Sequence, residues 1–168
     1  MKILRLAAVM AAGVLALAGC QKSTDVAAFE AKAKADVREW IAAFNTGDVD
    51  TVVAKYAPDA VVMAPGNPSA TGHDAIRALV EKESDTIRAA GITLAVNDDD
   101  KASASGDLGW HSGSYVVKDS TGAVIDSGNY MDVQQNIDGQ WLMIRDIWNS
   151  DRPPPAPAPE PAAEAPAA

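Results

Sequence analysis

Two residues with acid–base chemistry sit in separate apolar segments of this chain, His111 in LGWHSGSYVVK and Asp146 in WLMIRDIW. A carboxylate beside an imidazole raises its basicity and fixes its orientation, as general-base catalysis or a proton relay requires. Tyr115 follows His111 at the two-residue period of a strand face and could donate its hydroxyl to a ligand oxygen. A plainer reading of the same residues is preferred. In it His111 is a packed strand histidine, Asp146 caps a backbone group or pairs with an arginine, and Tyr115 is wall.

Other chemistry is thinly represented. With one cysteine the chain has no internal disulfide, four-thiol zinc site or CxxC redox pair. No HExxH, P-loop, GxGxxG or GxSxG occurs. Asp98-Asp99-Asp100 lacks the alternate spacing and glycine of a calcium loop and reads as a solvated turn. His73 reads as a solvated or capping residue at a helix entry. No metal and no cofactor are expected. The balance of 14 Lys+Arg against 23 Asp+Glu, net −9, argues against nucleic acid as partner.

The lone Cys20 closes a leader. Lys2 and Arg5 precede the uncharged apolar stretch Leu6–Leu17, which is too short for a membrane span of about 20 residues. The ending Leu17-Ala18-Gly19-Cys20 resembles the bacterial lipobox, which implies cleavage of residues 1–19 and a lipidated Cys20 at the head of residues 20–23. Buried methylenes contribute about 0.8 kcal/mol each, so two or three acyl chains would tether the protein to a membrane. Losing Lys2 and Arg5 takes the charge from −9 to −11, so an anionic lipid surface would repel the mature domain. By resemblance to enterobacterial lipoproteins, Gln21 after the cysteine implies, in a Gram-negative cell, the outer membrane, facing the periplasm. Residues 151–168, nearly all Pro, Ala and Glu, read as a disordered tail with nothing large to bury.

Residues 24–150 remain as the domain. Val26, Phe29, Ala33, Val37, Trp40, Ile41 and Phe44 recur at helical spacing, predicting a long amphipathic helix that stops at Gly47. Asp48 caps a shorter helix carrying Val49, Val52, Val53 and Tyr56, which Pro58 ends. A strand over 60–64 and a third helix from about His73 to Gly91 follow. Then come strands at 92–96, 108–118, 124–135 and 141–148, joined by turns such as Asn136-Ile137-Asp138-Gly139. Helices followed by an antiparallel meander make an α+β domain.

The segments DVREWIAAFNTGDVDTVVAKYAPDAVVMAPG, TGHDAIRALV and GNYMDVQQNIDGQWLMIRDIWNSD resemble the nuclear transport factor 2-like superfamily, in its SnoaL-like and ketosteroid-isomerase-like branch. The resemblance implies a cystatin-like roll: three N-terminal helices and a curved antiparallel sheet forming a cone that the first helix closes. In the isomerases a catalytic tyrosine stands where this chain has Trp40. Their general-base aspartate stands at Ala64 and their protonated aspartate at Met131. None of these three can replace the carboxylates that enolisation needs, so isomerase activity is not expected. The same alignment points His111, Gly113 and Tyr115 inward, with Asn129, Met131 and Val133, and with Ile144, Asp146 and Trp148. Trp40, Phe44 and Ala64 join them as ligand-binding wall. The resemblance also implies a homodimer through the open sheet face, where Trp110, Tyr130 and Trp141 are expected. The functional expectation is an envelope lipoprotein that binds a small apolar ligand or a protein partner without catalysis. The alternative is an isomerase, dehydratase or cyclase using His111 and Asp146.

Overall fold

The computed structural model describes residues 24–152. The leader, Cys20 and the chain beyond Arg152 lie outside the described residues. Helix α1 (Val26–Thr46) starts where the Asp25 carboxylate accepts from the Ala28 amide at 3.0 Å, and it stops at Gly47, whose φ of 80° suits a residue without Cβ. Asp48 then caps α2 (Val49–Val53) by accepting from the Thr51 amide. Helix α3 (Gly72–Ala89) follows a short hairpin. Tyr56 and Pro58 belong to a strand, not to α2: β1 runs from Tyr56 to Met63. Its ladder to β7 is interrupted between Tyr56 and Val61, and Pro58 falls in that gap, where no ladder amide is required.

The remaining strands are β2 (Ala70–Thr71), β3 (Thr93–Val96), β4 (Lys101–Ser105), β5 (Leu108–Lys118), β6 (Val124–Ile137) and β7 (Gln140–Ser150). They form one seven-stranded sheet in the order β2-β1-β7-β6-β5-β3, with β4 also on β5. The α+β cone is the expected architecture, but the sheet is mixed, because β1 lies parallel to β7. The β6–β7 connection uses Asp138 (φ 52°) and Gly139 (φ 89°), the two positive-φ residues of a tight hairpin turn.

Two bulges set which residues face the inside. At the β5–β6 turn Lys118 pairs with Val124 but Val117 pairs with Asp126, so Ile125 is an extra residue. From there to the far end, odd residues of β5 oppose even residues of β6. On β7 Ile144 is the extra residue, because Gln134 pairs with Met143 while Val133 pairs with Arg145. Each insertion exchanges the two faces of its strand once.

The core fills the corner between α2, α3 and β1, where Val52, Ile76, Val62 and Val80 are fully or nearly fully buried. Each such side chain stabilises the fold by about 1.5–3 kcal/mol. Helix α1 lies over the concave face of the sheet. Its first turns bring Phe29 onto Gly109, where any Cβ would stand 2.4 Å from the ring, and against Trp141 at 4.5 Å between centroids. Near its other end Asn45 exchanges hydrogen bonds with the Leu94 carbonyl and amide on β3 (2.8 and 2.9 Å). The Phe44 carbonyl accepts from Ser84 of α3. The helix is thus fixed at both ends across the mouth of the cone.

Candidate active site: a row of ionisable side chains in an aromatic cone

The cavity under α1 has a volume of about 120 Å³. Trp40 and Phe44 of α1 stack 4.9 Å apart and form its lid. Trp141, Met143 and Trp148 of β7 and Tyr115 of β5 supply further wall. Such a mostly apolar hollow with few polar groups is the usual form of a small-molecule site.

Its polar groups come from the sheet register. His111 of β5 pairs with Asp132 of β6, and Asp132 with Asp146 of β7, so three ionisable residues stand side by side on the inner face. His111 and Asp146 do not form the acid–base pair of the alternative reading. His111 bonds through Nδ1 to Asp132 Oδ2 and through Nε2 to Asp100 Oδ2, both at 3.2 Å, and is 1% exposed. Burial pulls the imidazole's pKa down, but the hydrogen bonds and charges of Asp132 and Asp100 outweigh it, and the net direction is up. Both ring nitrogens lie against carboxylate oxygens, an arrangement that favours the imidazolium donating from each N–H. Neither nitrogen is available as a base. Asp100 is in turn lowered, because the His111 and Arg38 contacts overcome its own desolvation. Far from being a solvated turn residue, it is 3% exposed.

Asp146 has a different partner. Tyr56 Oη donates to Asp146 Oδ2 at 2.6 Å, and the Trp40 indole N–H donates to the Tyr56 oxygen at 3.1 Å. Tyr56 is held well above its ordinary pKa by burial and by the Asp146 charge, so it stays a neutral donor. Burial, with Asp132 beside it, pushes Asp146 up to about 7, although the Tyr56 bond works the other way. The carboxyl is thus poised to gain or lose a proton near neutrality. Glu83 of α3 also lines the cavity and is raised by burial.

Several expected site residues stand elsewhere. On β6 the inward side chains are Tyr130, Asp132 and Gln134, while Met131 is 46% exposed on the outer face, with Asn129 exposed and Val133 half-buried beside Arg145. The bulge at Ile125 accounts for all three. The inward neighbour of Met131, Asp132, is the carboxylate that this strand presents to the cavity. Ile144 is the bulged residue of β7 and packs on the core instead of lining the cavity. Ala64 is buried past the end of β1, outside the cavity wall. Gly113 faces inward but contributes room, not contact: a Cβ there would meet the Tyr130 hydroxyl at 2.7 Å. That room lets Tyr130 lie 3.5 Å from His111 Nε2. Tyr115 is wall, with its hydroxyl donating to the Asn149 carbonyl. Tyr130 and Trp141 line the cavity and leave Trp110, Leu108, Met131 and Ile147 as the large exposed side chains of the outer face. His73 bonds the Tyr56 carbonyl at 2.9 Å. Among the described residues no three His, Cys, Asp or Glu side chains converge in a way that would hold a metal ion.

A helix-closed cone with an inward row of ionisable residues defines a nuclear transport factor 2-like domain of cystatin-like fold. The chain belongs to the SnoaL-like domain family, whose model matches residues 37–142. An NTF2-like protein from Novosphingobium aromaticivorans superposes with a TM-score of 0.64 at 16% identity, over 70% of this chain and 79% of that one. A cystatin-like-fold protein from Nostoc punctiforme gives 0.67 at 18%, over 79% and 97%. A ketosteroid isomerase-like protein from Erwinia carotovora atroseptica gives 0.54 at 20%, over 71% and 94%. At these identities the likeness is one of fold. No protein with a curated description matches the chain.

Proposed function

We propose that the cone binds a small, largely apolar organic molecule whose one polar group meets Asp146. The observation that carries this reading is the aromatic-lidded cavity itself, in which the buried Asp146 carboxyl is pushed up to about 7. A carboxyl so placed destabilises the empty fold, and a complementary ligand group relieves that cost. Trp40→Ala removes half of the stacked lid and the indole donor to Tyr56. Native mass spectrometry of the purified chain is expected to find a co-purifying small molecule that Trp40→Ala loses. An unliganded wild type that also takes up nothing from a cell extract would count against the reading.

A second reading, acid–base catalysis, is favoured by the same carboxyl, because a group titrating near 7 can both accept and return a proton. Its agent is Asp146, positioned by the Tyr56 hydroxyl, not His111. We further propose that the domain works at the cell envelope, tethered through Cys20, on the strength of the Leu17-Ala18-Gly19-Cys20 motif. Cys20→Ser is expected to leave an unprocessed precursor, seen as a larger band. Normal processing and full membrane partitioning of that variant would remove the lipid anchor.

A further inference from the structure

We infer that the ligand of this cone is an organic cation, an ammonium group carried on a single ring or a body of similar size. The inference rests on the reading of the cavity as a ligand site and adds the sign of the ligand's charge. Four carboxyl side chains line the cavity, Asp36, Glu83, Asp132 and Asp146, against two basic ones, Lys55 and His111. Both basic groups are already matched. Lys55 Nζ bridges Asp36 at 3.0 Å and Glu39, and His111 is held between Asp132 and Asp100. No basic group is left to receive an anion.

The carboxyls are not all matched. Asp146 accepts from Tyr56 and Glu83 from Asn67 at 3.3 Å, and among the described residues neither has a cationic partner. Burial holds both in the direction of the neutral acid, which a cation entering the cavity would reverse. Much of the remaining wall is aromatic, and indole and phenyl rings such as those of Trp40, Phe44 and Trp148 attract an alkylammonium group more than a neutral one of the same shape. Size points the same way: a volume of about 120 Å³ is of the order of the ~150 Å³ void that admits benzene. The net charge of −9 adds a long-range field that draws cations to the protein.

Three probes of one shape test the sign: benzylamine, benzyl alcohol and benzoate, titrated into the full chain and followed by the Trp40 indole N–H resonance. At about pH 8 benzylamine is expected to bind at least tenfold more tightly than benzyl alcohol, with no response to benzoate. Its affinity should weaken as the pH falls through about 7, where Asp146 takes up its proton, while benzyl alcohol changes little. Asp146→Asn should bring the two affinities together. Glu83→Gln, at a less buried site, should reduce the preference in part and serves should Asp146→Asn fail to fold. Equal or tighter binding of benzyl alcohol by the wild type would overturn the cation inference and leave the cavity reading intact. A Trp40 resonance that moves with none of the three would overturn both.

Discussion

Replacing His111 by leucine is expected to destabilise the domain by about 3–5 kcal/mol near neutral pH, the scale for removing one partner of a buried ion pair. The imidazolium lies between two carboxylates that are themselves 3% and 4% exposed, and its loss leaves Asp100 and Asp132 close together in a low-dielectric interior. Arg38, 3.5 Å from Asp100 and partly in solvent, offsets little of this. The sign with pH follows from the raised imidazole. Its stabilisation is complete below the ordinary value near 6.5 and is lost as the pH climbs through the higher folded value. The gap between wild type and His111→Leu in urea denaturation should therefore narrow as the medium becomes more alkaline. A gap under about 1 kcal/mol at pH 7, or one that widens with pH, would mean that the buried histidine is neutral.

Asp146→Asn is expected to act in the opposite sense and stabilise the fold. The carboxyl loses its proton near 7 in the folded chain and near 3.8 when unfolded. Between those values the unfolded chain releases a proton that the folded one keeps, so stability falls as the pH rises across the window and is level above it. Asparagine keeps an oxygen for the Tyr56 hydroxyl and carries no charge. The gain at pH 8 should approach about 4 kcal/mol, from roughly three units at 1.36 kcal/mol each, and should vanish by about pH 4. The variant should also lose proton transfer if the cone catalyses any. Stability bought with function is the common pattern at a strained site. Superimposed denaturation curves for the two proteins at pH 8 would contradict the raised carboxyl.

The elements were easy to read from the sequence because their signals are local. The three-and-four spacing of Phe29, Ala33, Trp40 and Phe44, the cap Asp48, and the turn Asp138-Gly139 each act within a few residues. The inward orientation of β5, and the placement of Trp40, Phe44, Asp146 and Trp148 around one cavity, rest on the family resemblance, which sets the phase of each strand. What failed was anything that depended on a pairing. His111 and Asp146 share the cavity, yet each takes another partner, because Asp132 stands between them in the register. Asp132 was missed through the bulge at Ile125, which no residue type announces. Asp100 looked like part of a solvated run, and only the β4–β5 hairpin brings it to His111. Tyr56 looked helical because Pro58 reads as a helix stop; its strand bends away from β7 at that point, so the proline is tolerated.

The extra residue at 144 makes the direction of the Asp146 carboxyl a matter of counting. Upstream of it the odd residues Trp141 and Met143 look into the cone, and downstream the even residues Asp146 and Trp148 do. The insertion behaves like a shift of reading frame written in space. Only the bulge absorbs the shift: a ladder that paired Ile144 in regular alternation would turn the acid and its neighbouring indole out to solvent, whereas deleting Ile144 leaves Met143, Arg145 and Asp146 in plain alternation with both still inward. Chemistry in this cone therefore survives the loss of that residue, while one further residue inserted in the strand without a bulge of its own would carry the site to a different set of side chains.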